Sequence, residues 1–321
     1  MKFKQKQKIL SILSVMAVGA IATYLTFAAS GTNVTSFEAE SADITGNASI
    51  VSDSGASGGQ AVEFEDEPAS TACSSEPGAP AGSATQGLTT YDSSGTTTVS
   101  NVIFDGSHSD DLVRVYNGKV IFENVTFRGT GTGSTGHTLE IKQGGSAEVR
   151  NSVFEGSPTE DTIQTENNGV TLIECNQIAG SPGEDHFDLK DGAEVTYRNN
   201  SILTRATYQT VQNANSTGPA HFINNTGMHK VLFEDNFHDG SLVGNEISDF
   251  VWLYDTQRIL VEGNTVNLMK HGEWQSPRVP SQTYFIDNDI NSFQFNGGTC
   301  YKSGDNGASL SQCTSGAPAW Y

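Results

Sequence analysis

The sequence predicts an all-β solenoid, because one six-residue phrase recurs along the chain. Each copy has strand-forming residues around a short polar turn, as in Val149-Arg-Asn-Ser-Val-Phe154. The copies start at Phe122, Val149, Ile173, Tyr197, Phe222, Phe233, Leu242, Val261 and Phe285. Successive starts lie 27, 24, 24, 25, 11, 9, 19 and 24 residues apart, and a period in the low twenties is typical of stacked β-coils. We expect the asparagine to supply one left-handed bend per coil and to hydrogen-bond between coils.

Composition and charge agree with this class of fold and exclude one class of partner. The chain has 321 residues, 34 of them glycine, and 36% are hydrophobic. These values fit one all-β body of about 200 residues with smaller pieces at its ends. The formal net charge of −20 argues against nucleic acid as a partner. It also disfavours an anionic polymer, unless a cation mediates the contact.

The N-terminal residues 1–30 have the pattern of an export signal. Four lysines precede residue 9, and residues 9–29 form an apolar run. This run is also long enough to span a bilayer, so an uncleaved membrane anchor is the alternative. With either reading, we expect the protein to be secreted or attached to the cell surface.

The cysteines fit an oxidising compartment. We expect Cys300 and Cys313 to form a disulfide bond across a short glycine- and serine-rich loop. Cys73 and Cys175 can also pair, although nothing in the sequence requires it.

The rest of the chain divides into three parts. Residues 31–96 read as an N-terminal strand or cap followed by a linker rich in serine, glycine and proline, and within them 37–64 resemble the opening strands of a carbohydrate-binding β-sandwich. Residues 97–295 hold the coils, and 296–321 are expected to form a C-terminal cap tied by the disulfide bond. Caps are needed because an open solenoid end exposes unpaired strand edges. We expect a monomer.

A second strand precedes each turn phrase, and these strands align in register. The aligned strands start at Asp111, His137, Asp161, Asp185 and Asp249. Alternation directs these side chains inward: Val113, Val115, Leu139, Ile141, Ile163, Thr165, Phe187, Leu189, Val251 and Leu253. It directs two columns outward: Arg114–Glu140–Gln164–Asp188–Trp252 and Tyr116–Lys142–Glu166–Lys190–Tyr254. Asp111, His137, Asp161, Asp185 and Asp249 form a third column at the strand edge.

Five carboxylates of adjacent coils fall close together in this alignment: Glu160, Asp161, Glu184, Asp185 and Asp188. Neighbouring coils are about 4.8 Å apart, so these groups repel each other if all are ionised. A bound Ca²⁺ would relieve the repulsion, since it accepts six to eight oxygen ligands in loose geometry. The alternative is a solvated acidic face.

The coils and this cluster resemble the right-handed parallel β-helix superfamily of pectate-lyase-like proteins. Within it, the segment Glu184-Asp185-His186-Phe187-Asp188 is similar to the Asp-Asp-x-x-Asp motif of the calcium-dependent pectate lyases of polysaccharide lyase family nine. The resemblance implies a single right-handed parallel β-helix of about eight coils. It also implies calcium bound by Asp185 and Asp188 with Glu184, and by Glu160 or Asp161 from the preceding coil.

The resemblance further implies β-elimination on an acidic polysaccharide, in which a lysine or arginine removes a proton from the sugar. Lys190 is the best base by geometry, and Arg205 and Lys230 are the other candidates. We expect substrate contacts at His186, Lys142, Tyr208, Trp252 and Tyr254.

The sequence is also compatible with two other functions. The same acids fit an inverting glycoside hydrolase of the polygalacturonase type, or an epimerase, on this fold. The absence of a clear base and the possible anchor fit a non-catalytic cell-surface protein that binds glycans or acts as an adhesin.

Overall fold

A computed structural model of the chain describes residues 48–52, 60–64, 73–74, 76–166, 169–190, 192, 194–214, 219–234, 237–273 and 279–321. The chain divides into two compact units, residues 1–72 and 73–321. The expected signal or anchor at 1–30 lies outside the described residues. In the first unit, β1 (Ala48–Ser52) pairs with β2 (Gln60–Phe64) in antiparallel orientation.

The second unit is built from strands alone among the described residues. Its first strands are β3 (Ala84–Gln86), β4 (Thr89–Ser100), β5 (Val102–Phe104), β6 (Ser107–His108), β7 (Val113–Glu123), β8 (Thr126–Phe127), β9 (Thr130–Gly131), β10 (Leu139–Lys142), β11 (Ser146–Arg150), β12 (Val153–Phe154), β13 (Ile163–Glu166), β14 (Thr171–Glu174), β15 (Gln177–Ile178), β16 (Phe187–Lys190), β17 (Val195–Arg198) and β18 (Ser201–Ile202). The others are β19 (Val211–Ala214), β20 (Ala220–Ile223), β21 (Met228–Phe233), β22 (Phe237–His238), β23 (Ser241–Val243), β24 (Glu246–Leu253), β25 (Thr256–Gln257), β26 (Leu260–Glu262), β27 (Thr265–His271), β28 (Thr283–Ile286), β29 (Asp289–Phe295), β30 (Cys300–Ser303) and β31 (Thr314–Ser315).

These strands stack in parallel on three faces of a coil. Face A contains β7, β10, β13, β16, β19, β21, β24, β27 and β29. Face B contains the second half of β7 and then β11, β14, β17, β20, β23, β26, β28, β30 and β31. Face C begins with β3, β5, β8, β12, β15 and β18.

The prediction of an all-β parallel coil is confirmed. From β7 to β29, the described strands of face A are separated by eight parallel pairings, which matches the expected eight coils. Parallel pairing also continues past the range 97–295. At one end β4 pairs with β7, and at the other β30 and β31 extend face B.

The repeated phrase forms one corner of each coil. One asparagine was expected to supply both the left-handed bend and the hydrogen bonds between coils, but two adjacent positions supply them. The third position adopts the left-handed conformation, as at Asn151, Cys175 and Asn199, with φ of 47°, 58° and 56°. The fourth position forms the ladder: the backbone N–H of Asn176 donates to Asn200 Oδ1, and that of Asn200 donates to Asn225 Oδ1, each at 3.0 Å.

One copy of the phrase was assigned wrongly. Asn225 donates from its backbone N–H directly to Asn245 Oδ1 at 2.9 Å, so the copy starting at Phe233 is not part of the ladder. Phe233 instead ends β21 on face A, opposite Leu253. This explains the short spacings of 11 and 9 residues, which together span one coil.

The interior is a continuous stack of apolar side chains. All the residues that alternation directed inward are fully buried. Rings stack between coils, as with Phe127 and Phe154 at 4.5 Å and Tyr197 and Phe222 at 5.0 Å between centroids. This burial is the main favourable contribution to folding.

Two disulfide bonds lie in the second unit. Cys300 and Cys313 are bonded as predicted, and Cys73 is bonded to Cys175, a pairing that the sequence left open. In the part of the chain that the structure describes, no helix is long and apolar enough to cross a membrane.

Candidate functional site

The edge column of face A is a buried ladder of acids and does not fan into solvent. Asp161 Oδ1 accepts the backbone N–H of Asp185 at 3.0 Å, and Asp185 Oδ1 accepts that of Gln209 at 2.5 Å. Asp111 Oδ1 accepts the backbone N–H of His137 at 2.9 Å in the same way. Only 1% of Asp161 and of Asp185 is exposed. One oxygen of each acid therefore joins successive coils and helps to hold the register.

His137 lies at the centre of the acidic cluster, although it was not among the predicted site residues. Its Nδ1 is 2.7 Å from Asp111 Oδ1, and its Nε2 is 3.0 Å from Glu160 Oε2 and 3.4 Å from Asp161 Oδ2. Burial opposes the charged ring, but the hydrogen bonds with Asp111 and Asp161 outweigh it and raise the pKa of His137 to about 10. A charged imidazolium therefore neutralises part of the cluster.

The acids one coil further along have the partly exposed Lys190 beside them in place of a buried cation such as His137. Burial, reinforced by the charges of Asp161 and Asp188, raises the pKa of Asp185 to about 8. Burial and the charge of Asp161 raise the pKa of Asp188 to about 6, against the opposing effect of Lys190. Burial and neighbouring acids also raise the pKa of Glu184. This half of the cluster is therefore short of positive charge.

Asp188 carries an oxygen without a partner. Its Oδ2 accepts hydrogen bonds from Lys190 Nζ at 2.8 Å and from Gln164 Nε2 at 3.3 Å. Its Oδ1 is buried and accepts no hydrogen bond from the described part of the chain, and only 5% of the residue is exposed. An unsatisfied buried carboxylate oxygen is costly, so a ligand that it could bind would stabilise this position.

The candidate ligands are of the type that Ca²⁺ prefers, but their positions do not form a calcium site. Asp161, Asp185 and Asp188 offer only oxygen atoms, which calcium prefers. Among the described residues, however, the close groups of possible ligands both contain His137: one with Asp111 and Glu140, the other with Glu160 and Asp161. The five predicted acids do not converge within 4.8 Å as a single set. Calcium binding would require these side chains to move toward each other.

The outward column of face A has the predicted register. Arg114, Glu140, Gln164 and Asp188 are successive partners, and Gln212 and Leu232 lead from Asp188 to Trp252. In the acidic half, these outward side chains are not exposed to solvent, because side chains one coil apart cover each other. Glu140 is only 3% exposed, and its pKa is raised by burial and by Asp111.

The candidate bases differ in their surroundings. Lys190 is held by Asp188, and this ion pair outweighs burial and raises the pKa of the lysine, which is the wrong direction for a base. Arg205 is exposed, and Lys230 is half-buried with its Nζ 6.0 Å from the ring centre of Phe250.

Two of the predicted substrate contacts are already engaged within the protein. His186 is fully buried, and its two ring nitrogens contact Thr204 O at 2.8 Å and Thr162 Oγ1 at 3.1 Å. The ring therefore has no free nitrogen for a surface ligand, contrary to the expected substrate contact. Lys142 donates to Glu140 Oε1 at 2.5 Å and lies 5.6 Å from the Tyr116 ring centre.

The other predicted contacts are accessible on or beside the strands of face A. Tyr208 is 53% exposed. Trp252 and Tyr254 are half-buried neighbours with ring centres 5.1 Å apart, and Trp252 Nε1 donates to Gly272 O at 3.2 Å. Lys270 is paired with Trp252 in the strand register, and its Nζ lies 5.2 Å from the Trp252 ring centre. Sequence reasoning omitted Lys270, because β27 was not aligned with the other outward strands.

Comparison with known families agrees with this architecture. Residues 86–266 match the family model described as a right handed beta helix region. The match covers more than half of the chain, which therefore belongs to the right-handed β-helix family. No curated protein and no solved structure matches the chain.

Proposed function

We propose that the protein is an exported polysaccharide lyase that binds an acidic glycan of the pectate type along face A with the help of calcium. The observation that carries the proposal is the unpartnered Oδ1 of Asp188, beside carboxylates whose pKa values are raised. A divalent cation that prefers oxygen ligands would neutralise these carboxylates and bind the unpartnered oxygen. The β-helix fold is compatible with this activity, although it hosts others.

The proposed ligands are Asp161, Asp185 and Asp188, with Glu160 and Glu184 at the accessible rim. Bound calcium would neutralise the carboxylates and acidify the sugar proton next to the uronate group. With Asp188 engaged, Lys190 would lose its partner, and a nearby divalent charge would lower the pKa of its ammonium group. Lys190 would then be the base that removes this proton, and the glycosidic oxygen on the adjacent carbon would leave as the double bond forms.

The calcium site is tested by thermal unfolding of the full-length chain with and without CaCl₂. We expect calcium to raise the unfolding temperature of the wild type and of Asp289→Asn, whose side chain is exposed on β29. Asp188→Asn should abolish the rise, because it removes the charge that the cation needs. An equal rise in all three proteins would refute this site.

The base is tested by following the unsaturated product of polygalacturonate by ultraviolet absorbance. Lys190→Gln should bind calcium but form no product. Lys302→Gln is the control, since this lysine donates to Leu310 O near the C-terminal end of the chain. Full activity in Lys190→Gln would exclude Lys190 as the base and leave Arg205 and Lys230.

A second candidate function has its own supporting observation. The ion pair between Lys190 and Asp188, at 2.8 Å, gives the lysine a structural role and favours a non-catalytic, cell-surface glycan-binding protein. Calcium-dependent binding of polygalacturonate without any unsaturated product would support this function in place of the lyase.

A further inference from the structure

Among the described residues of the second unit, three cationic side chains have no partner of opposite charge. Most lysines and arginines of the described residues form ion pairs, namely Arg114, Lys119, Arg128, Lys142, Arg150, Lys190, Arg198 and Arg258. Lys302 donates to a backbone carbonyl. Arg205, Lys230 and Lys270 make neither an ion pair nor a hydrogen bond with any described residue. In a chain of net charge −20, where carboxylates are abundant, cations left unpaired in this way indicate a place for an external anion.

Two of these cations are arranged around aromatic rings. Lys230 and Phe250 are partners in the register of β21 and β24, and Lys230 Nζ lies 6.0 Å from the Phe250 ring centre. Lys270 Nζ lies 4.3 Å from the same ring centre and 5.2 Å from that of Trp252. Cation–π contacts position ammonium groups without neutralising them, so both charges remain available to a ligand.

This cluster lies on the same face as the acidic site. The outward column runs from Asp188 through Gln212 and Leu232 to Trp252, which is three strand spacings or about 14 Å. A polymer that runs along the axis of face A would therefore meet the acidic half first and the cationic half a few spacings further on.

We propose that Lys230 and Lys270, positioned by Phe250 and Trp252, form a second subsite that binds a carboxylate of the glycan without calcium. The proposal takes the acidic glycan from the proposed function but requires neither the calcium site nor catalysis. Ammonium groups bind carboxylates by direct charge-assisted hydrogen bonds. The indole of Trp252, fixed by its hydrogen bond to Gly272 O, supplies an apolar surface beside them for a sugar ring.

The test is the affinity of the full-length chain for polygalacturonate in EDTA, measured by calorimetry. We expect wild-type binding that weakens with added NaCl, and about fivefold weaker binding for Lys230→Gln and for Lys270→Gln. Lys119→Gln is the matched control, because it removes the same charge from a lysine that is paired with Glu148 on face B. The control should bind like the wild type, and all variants should keep the wild-type unfolding temperature.

The subsite is refuted if both lysine variants bind polygalacturonate in EDTA as tightly as Lys119→Gln does. Equal binding of a neutral dextran would also refute it, since stacking without charge would then explain the affinity. If the proposed function is wrong but the subsite exists, the results differ. In that case calcium has no effect on wild-type stability and no product forms, while the two lysine variants still weaken binding in EDTA.

Discussion

The asparagine ladder offers the most direct test of how the coils are held together, through the change Asn200→Ala. Asn200 Oδ1 accepts from the backbone N–H of Asn176 at 3.0 Å and from its Nδ2 at 3.1 Å. Asn200 Nδ2 donates to Ile173 O and to Asn225 Oδ1, both at 2.9 Å. Only 1% of Asn200 is exposed, so no water can replace these four bonds unless the structure opens.

The expected loss follows from the number of bonds. Each contributes about 1 kcal/mol, and the buried N–H of Asn176 is left without an acceptor, so we expect the free energy of unfolding to fall by about 3–5 kcal/mol. Urea denaturation followed by circular dichroism measures this change. Asn291→Ala is the control, because its bond to Asn267 Oδ1 is exposed, and it should cost less than about 1 kcal/mol. Equal losses in the two variants would refute a structural role for the ladder.

Three further predictions concern the acidic cluster. Replacing His137 by glutamine should lower the free energy of unfolding by about 3 kcal/mol, because it removes the cation that buried Asp111 and Asp161 share and leaves only Arg114 beside Asp111; a loss below 1 kcal/mol in urea denaturation would contradict this. In EDTA, stability should fall as the pH rises from about 6.5 to about 8. The reason is that burial raises the pKa of Asp185 to about 8, so the folded state binds more protons than the unfolded state over this range. Below about 6.5 the lowered pKa values of buried His186, His229 and His271 oppose this effect, so a flat profile between about pH 6.5 and 8 is the result that would contradict the prediction. In EDTA, Asp188→Asn should unfold at least at the wild-type temperature at pH 8, because it removes one repelling charge, and a clear decrease would contradict this.

The fold could be predicted from the sequence because each coil of a solenoid repeats the same local pattern. A strand, a turn with a left-handed residue and a ladder position recur in each coil, so register follows from aligning the copies. The alignment of Glu140, Gln164 and Asp188 was correct for this reason. The copy at Phe233 was assigned wrongly, because a six-residue pattern does not distinguish a turn phrase from the end of a face A strand.

The site was less predictable, because its properties depend on contacts between coils. Alternation correctly directed Asp188 outward but could not reveal that its neighbours cover it. The same limit explains His186, whose ring is buried against Thr204 of the following loop. The contact of Lys270 with Phe250 depends on strands from different coils and has no local sequence signal.

The central claim is that the acids of face A assist β-elimination through calcium. The most direct measurement is the ultraviolet absorbance of the unsaturated product when the full-length chain meets polygalacturonate, with CaCl₂ and then with EDTA. The account predicts product only with calcium, and none from Asp188→Asn under either condition. Product formation that is equal in EDTA, or equal in Asp188→Asn, would contradict it.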